Sequence, residues 1–514
     1  MTGTEGAATL PEAVLALDQG TTGSTALVFS HDGAVLGRAY GEISQSYPEP
    51  GWVEQDPREI WETSRRVMQE AVADAGLGRG DVKAIGIANQ RETTVVWERS
   101  TGTPVHPAIV WQSRQTAPQC EVMTRAGLEA TIRERTGLVI DPYFSGSKIR
   151  WILERYPETI EQARSGELLF GTIDTWLIWQ LTGGAAHVTD PTNASRTLLY
   201  NIHDREWDPV LLEALDIPRA MLPEVRPSAG LFGETRVEAP VSGVAITGVA
   251  GDQQAALYGQ GCWDPGMAKN TYGTGAFVVA NLGQHRPSSH GGLLTTIACD
   301  RTGQPVYALE GSIFVAGALI QWFRDELGLL TSAAESEAVA TEVTSSEGVY
   351  IVPAFTGLGA PHWDMHARGA ILGLTRGVDR RHLVRAALEA IAYQTADVVE
   401  AMGAEGMVPV QELRVDGGAC ANNFLMQFQA DLLGITIDRP RLIETTATGA
   451  AFLAGLGARF WSTPDEIAGV RQCERRFDPQ LDDATRATRV AGWRQAVERV
   501  RTNRNDDSTD LLTE

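Results

Sequence analysis

Two short turns rich in Thr and Gly, one opening each half of the chain, constrain the fold most. The first is Asp18-Gln19-Gly20-Thr21-Thr22-Gly23-Ser24, set between the apolar runs 14–17 and 26–29. The second is Thr271-Tyr272-Gly273-Thr274-Gly275, set between residues 266–268 and the apolar run 278–280. Short apolar runs of this kind suit strands buried on both faces. Each turn therefore reads as the tip of a hairpin. Asp32-Gly33 signals a further hairpin turn before the strand at 34–36. A strand–turn–strand unit in each half implies one fold used twice, not a short-period solenoid.

The intervening pattern alternates strand and helix. Asp56-Pro57 reads as a cap and first-turn proline for a helix over 61–75. The strand 82–88 runs into Asn89-Gln90-Arg91-Glu92-Thr93-Thr94, followed by a strand at 95–97. That would put Arg91 and Glu92 at the mouth of a strand pair. Helical patterns follow at 149–154 and 175–181. The strand 244–250 delivers Gly251-Asp252-Gln253-Gln254, and a helix is predicted to start at 255–258. A boundary there gives domains of residues 1–257 and 258–514. In the second half a strand at 413–415 opens into Asp416-Gly417-Gly418, with a helix at 424–433 and a strand at 435–437. A small-residue helix then opens at 446–451. The apolar stretch 313–323 contains Gln321 and reads as a core helix. It is too short to span a bilayer, which takes about 18–20 residues. The tail 502–514 is polar and expected to fray.

Composition narrows the function classes. Lys+Arg is 43 and Asp+Glu 65, a net charge of −22, which disfavours a generic nucleic-acid or anionic-membrane binder. Five cysteines lie far apart, with no C-x-x-C pair. This favours reduced thiols and a cytoplasmic protein. Residues 1–10 lack the basic flank of a signal peptide.

Phosphate groups need backbone N–H donors, close approach and hydroxyl donors, which Thr/Gly turns supply. Neither turn is a Walker A loop, and no dinucleotide G-x-G-x-x-G follows a strand. Asp18 and Asp252 each end a predicted strand. They could be simple turn residues. In phosphoryl transfer to an alcohol they would serve as a base and as carboxylates organising Mg2+. Arg91-Glu92 could be a surface ion pair or a polyol clamp, with Arg donating to one hydroxyl and Glu accepting from another. Trp111 and Phe277 are candidate apolar walls and Tyr143 a candidate phenol donor. His362 and His366 have i, i+4 spacing but no H-E-x-x-H context, and read as structural.

At these residues the chain resembles the sugar and polyol kinase family, most closely its glycerol-phosphorylating branch. That family shares its fold with actin and the 70-kDa heat-shock chaperones. The resemblance runs from about Val14 to Trp493. It is carried by LDQGTT at 17–22, GWVEQDP at 51–57, IGIANQRETTVVW at 85–97, Trp111-Gln112, AGDQQAA at 250–256 and NTYGTGAF at 270–277. The stretches beginning at Pro361 and Asp416 complete it. It implies an α/β fold of two duplicated ribonuclease H-like (actin-like ATPase) domains with a central cleft. It implies glycerol held by Arg91, Glu92, Tyr143, Asp252 and Gln253, with Trp111 and Phe277 on its carbons. Asp252 would be the general base, and Asp18 and Asp252 would place Mg2+. ATP would meet Thr21, Thr22, Gly23 and Ser24 from the first domain. Thr274, Gly317, Gln321, Gly418 and Asn422 would meet it from the second. A homodimer or homotetramer is expected on the same ground.

The chain departs from the family pattern in places. Thr25 stands where a basic residue is common. The stretch 227–240 lacks the Gly-Gly, Arg-containing pattern that binds fructose 1,6-bisphosphate in one branch. Glu234 occupies the place of a histidine phosphorylated in another, so no such phosphorylation is expected. Two alternatives stay open at this point: a kinase for a different polyol or sugar, and a nucleotide-switched binding protein of the actin or chaperone kind.

Overall fold

The computed structural model describes residues 12–238, 240–287, 292–406 and 408–502. Two mixed sheets organise them. The first contains β1 (Ala13–Gln19), β2 (Gly23–Ser30), β3 (Val35–Glu42), β4 (Val82–Asn89), β5 (Ala229–Glu234) and β6 (Ala245–Gly251). Their order is β5-β6-β4-β1-β2-β3. The second contains β7 (Ala268–Tyr272), β8 (Ala276–Gly283), β9 (Leu294–Cys299), β10 (Pro305–Ile313), β11 (Glu412–Asp416), β12 (Thr436–Pro440) and β13 (Cys473–Phe477). Their order is β9-β10-β8-β7-β11-β12-β13.

The same core stands in both sheets. Each has an antiparallel three-strand unit, β1-β2-β3 in the first sheet and β7-β8-β10 in the second, with β9 added outside β10. The first strand of each unit then pairs in parallel with a later one. β1 pairs antiparallel with β2 and parallel with β4. β7 pairs antiparallel with β8 and parallel with β11. The duplication inferred from the two turns is therefore a duplication of topology, and both domains have the ribonuclease H-like, actin-like ATPase fold.

Apolar runs explain the central strands. Residues 13–17 of β1 are buried, and only Asp18 near its end is half-buried. Helix α1 (Pro57–Asp74) begins at the predicted cap, where the Asp56 carboxylate accepts from the Arg58 N–H. Its buried stripe, Ile60, Ser64, Val67, Met68 and Ala71, has the spacing of one helix face and lies on β2 and β3.

Helices α2 (Asp252–Gly259), α3 (Gly317–Asp325), α4 (Asn423–Leu433) and α5 (Thr445–Gly457) matter for the site. α5 comes from the second half yet packs on α2 and against β1, β4 and β6. Val14, Ala16, Ala84, Ala88, Ala450, Leu453 and Ala454 share one core, so that core joins the two halves of the sequence. Gly449 permits the crossing, because a Cβ there would stand 1.8 Å from the Ala255 carbonyl oxygen. Gly449→Ala is expected to cost about 1–3 kcal/mol through overpacking. An unchanged denaturation midpoint would show that the crossing tolerates a methyl group.

Some expectations need correction. Val95–Glu98 does not pair with β4. It pairs antiparallel with Leu168–Gly171 in a separate ribbon, because the chain turns out of the first sheet at Glu92, whose φ is +61°. The stretch 313–323 is not one helix. β10 ends at Ile313, Phe314 is exposed, and α3 starts at Gly317, with Leu319, Ile320 and Phe323 buried. α2 starts at Asp252, earlier than the predicted 255. Thr502 is tied down through N–H and hydroxyl bonds to Asp364 of 2.6 and 2.7 Å. The rest of the tail and residues 1–11 lie outside the described residues.

Candidate active site

The parallel strands β1, β4 and β6 end side by side. Gln19 is level with Asn89, and Asn89 with Gly251. Asp18, Arg91-Glu92 and Asp252 therefore emerge at one edge, at the carboxyl ends of parallel strands, where open α/β sheets place ligands.

The first hairpin is braced from behind. The Thr21 carbonyl accepts from Gln55 Nε2 at 2.6 Å, and the Thr22 carbonyl from the Ile43 N–H at 3.0 Å. In a planar trans peptide the N–H points opposite the C=O. The N–H groups of Thr22 and Gly23 are thereby turned away from those braces. Thr21 Oγ1 accepts from Trp111 Nε1 at 2.9 Å. Ser24 differs from its neighbours: its hydroxyl is buried against that of Ser64 at 3.0 Å.

Around Arg91 the side chains form a closed charge cluster. Arg91 Nε lies 3.1 Å from Asp252 Oδ1. Its two terminal nitrogens reach both oxygens of Glu310, at 2.5 and 3.1 Å. Glu92 accepts from Arg196 Nε at 2.5 Å, and Arg196 Nη2 reaches Glu310 Oε1 at 3.1 Å. The Arg196 guanidinium stacks over the rings of Tyr143 and Phe144, at 5.4 and 5.2 Å. Glu92 keeps its left-handed backbone because its carbonyl accepts from Thr94 Oγ1, Ser145 Oγ and Lys148 Nζ, all within 3.1 Å. Such strain persists only where surroundings over-determine it.

Burial sets the electrostatics. For Glu310 burial favours the neutral acid, but Arg196 and Arg91 outweigh it and hold the carboxyl down at about 2. Burial raises Glu92, against the pull of Arg196 and Arg91. Burial pushes Lys148 down to about 7. It also raises the Tyr143 phenol, which stays a proton donor. Asp252 remains partly open, with 30% of its side chain exposed, and accepts the Gln253 N–H at 2.7 Å.

The second sheet supplies the opposite wall. The register aligns Lys269, Val279 and Glu310, and likewise Thr271, Phe277 and Ser312. Residues two apart in a strand share a face, so Phe277 lies on the Glu310 side of the sheet. Lys269 Nζ bonds Gln253 Oε1 at 2.5 Å and Thr271 Oγ1 at 2.7 Å, and burial lowers it to about 8. The Thr274 carbonyl accepts from the Ala316 and Ala318 N–H groups, and that of Gly273 from Gly317. The second hairpin is thus welded to the start of α3. Gly417 (φ +83°) closes on Tyr272, where a Cβ would meet the carbonyl at 2.3 Å, while Gly418 borders open space. Gln321 is exposed on α3. Asn422 caps α4 by accepting the Leu425 N–H and also donates to Ser336, so its amide is largely committed.

Sequence reasoning missed Arg196, Glu310, Lys148 and Lys269. A signal was available for Glu310 alone: a charge inside an apolar run. Among the described residues no three His, Cys, Asp or Glu converge on a metal position. No helix there is long and apolar enough to cross a membrane. All five cysteines are free.

Residues 13–259 and 268–458 match the N-terminal and C-terminal domain models of the FGGY family of carbohydrate kinases. Glycerol kinase of Shewanella piezotolerans is 56% identical over 95% of this chain and 99% of its own length. Glycerol kinase of Pseudomonas putida is 57% identical, over 95% and 97%. The structure of Plasmodium falciparum glycerol kinase with ADP superposes with a TM-score of 0.90 at 35% identity, covering 95% of this chain and 98% of that one. A xylulose kinase from Lactobacillus acidophilus, 20% identical with a TM-score of 0.85 over 95% and 97%, shares the fold. With two matched domains and relatives aligned over nearly the whole length, this chain belongs to the FGGY family of carbohydrate kinases.

Proposed function

We propose that the chain transfers the γ-phosphoryl group of ATP to glycerol, forming sn-glycerol 3-phosphate and ADP. The observation that carries this reading is the joining of the two half-sites by one side chain. The Trp111 indole packs against Tyr143 with ring centroids 5.5 Å apart and donates to Thr21 on the hairpin. A compact polyol held beside Arg91 and Glu92 would therefore lie within reach of a phosphate at that hairpin.

In this reading Arg91 and Tyr143 donate to hydroxyl oxygens. Glu92 accepts with the carboxylate oxygen that Arg196 leaves unused. Asp252 takes the proton of the attacking hydroxyl. Lys269 accounts for the Gln253 amide: its oxygen receives the ammonium, so its NH2 serves as a donor. Thr21, Thr22, Gly23 and Thr274 donate to the phosphates, and Gly418 leaves room for the nucleotide. Asp18 and Asp252 would hold Mg2+, because both carboxylates emerge at the same edge of the first sheet and Mg2+ needs only one or two carboxylates. When bound, Mg2+ neutralises charge on the β- and γ-phosphates.

The product identifies the reaction. Mg-ATP and glycerol should yield a compound oxidised by a dehydrogenase specific for sn-glycerol 3-phosphate; ADP release without that product would reject the reading. Trp111→Phe keeps the wall and removes the bond to Thr21. It is expected to raise the ATP KM by about threefold to tenfold, the range of one neutral hydrogen bond, with the glycerol KM nearly unchanged. A change in the glycerol KM alone would show that the indole N–H does not serve the hairpin.

A further inference from the structure

The charge ring Arg91–Glu310–Arg196–Glu92 has two members, Arg196 and Glu310, that are sealed from solvent. They cannot be surface ion pairs, and a core of this size needs no charges to fold. Their hydrogen bonds run to the two side chains that would grip the polyol. Arg196 spends Nε on Glu92 and Nη2 on Glu310, while Nη1 is buried with no hydrogen-bond partner among the described residues. An unpaired donor in a buried guanidinium is a standing cost, so the geometry is kept for something other than stability. Tyr143 and Phe144 clamp the guanidinium plane. Rotation to satisfy Nη1 would break that stacking. Glu310 comes from the second sheet and reaches across to both arginines, so the ring closes only when the two halves of the site are together.

Resting on the glycerol reading above, we infer that Arg196 and Glu310 are positioning residues for polyol binding. Arg196 fixes the Glu92 carboxylate, holding Oε1 so that Oε2 is the acceptor presented to a hydroxyl. Glu310 grips Arg91 on both terminal nitrogens, which leaves Arg91 Nε on Asp252. The ring thus sets acceptor and donor at a fixed separation before the polyol arrives, which lowers the ordering cost of binding.

A double-mutant cycle tests this through KM values. Arg196→Lys keeps the charge but cannot hold two carboxylates in one plane. It is expected to raise the glycerol KM by about tenfold or more, the scale of a charged hydrogen bond, with the ATP KM within about twofold. In a Glu92→Gln background the same change should add less than about twofold, because residues acting as one unit are not additive. Glu310→Gln is the second variant, should Arg196→Lys fail to fold. It too should raise the glycerol KM selectively. Additive effects in the cycle, equal rises in both KM values, or an unchanged glycerol KM in both variants would overturn the inference. A wild-type enzyme that ignores glycerol would instead reject the substrate reading. The same cycle would then be run with the polyol or sugar that it does accept.

Discussion

Asp252→Asn is expected to lower kcat by about 10²–10⁴-fold, the usual contribution of a positioned general base. Asparagine keeps the size of the side chain, and its amide oxygen can still accept from Arg91 Nε and the Gln253 N–H, which now hold Asp252 at 3.1 and 2.7 Å. What it loses is the capacity to take a proton. Nucleotide affinity, read by titration calorimetry with ADP, should remain within about threefold, because an interaction made in the transition state leaves ground-state binding largely intact. Turnover within about tenfold of wild type would remove Asp252 as the base, since that is below the range a base supplies.

Glu310→Ala is the largest stability effect expected. It leaves two buried guanidinium groups facing each other across an empty position. Breaking a buried pair by removing one partner costs about 3–5 kcal/mol. Glu310→Gln fills the space and accepts one hydrogen bond, so it should cost less. A pH dependence follows with a definite sign. The folded-state carboxyl sits at about 2, below its ordinary 4.5. The folded protein therefore binds this proton less readily than the unfolded chain. The stabilisation is complete above 4.5 and lost as pH falls through about 2. Chemical denaturation at pH 7 and at pH 3 should show the gap between wild type and Glu310→Gln shrinking at the lower pH. A gap that stayed constant or widened would contradict the assignment of Glu310 as an ionised partner of both arginines.

The hairpins were legible because turn chemistry is local: Asp18 to Ser24 carries its glycines and threonines within one tip. The duplication followed from seeing that tip twice. Arg91, Glu92 and Asp252 were legible as charges at strand ends, where a strand buried on both faces has no other use for them. Glu310 was not, because its partners lie 219 and 114 residues away in sequence, and no local pattern encodes such pairings. Its only trace is a carboxylate in the middle of the buried run of β10, where an unpaired charge would be prohibitive. The Ser24 hydroxyl shows the opposite case. The turn composition matches a phosphate loop, but strand alternation sends that hydroxyl to Ser64. The passage of α5 across the halves was likewise hidden, since small residues such as Gly449 show that something approaches closely without showing what.

The most direct measurement is ADP release with Mg-ATP across glycerol, dihydroxyacetone, xylulose, ribulose and gluconate, beside a control without acceptor. The clamp of Arg91, Glu92 and Trp111 should give strong turnover with glycerol, far above the larger sugars and the control. A clear preference for xylulose, ribulose or gluconate, or ADP release indifferent to any acceptor, would leave the fold and family intact and contradict the glycerol site.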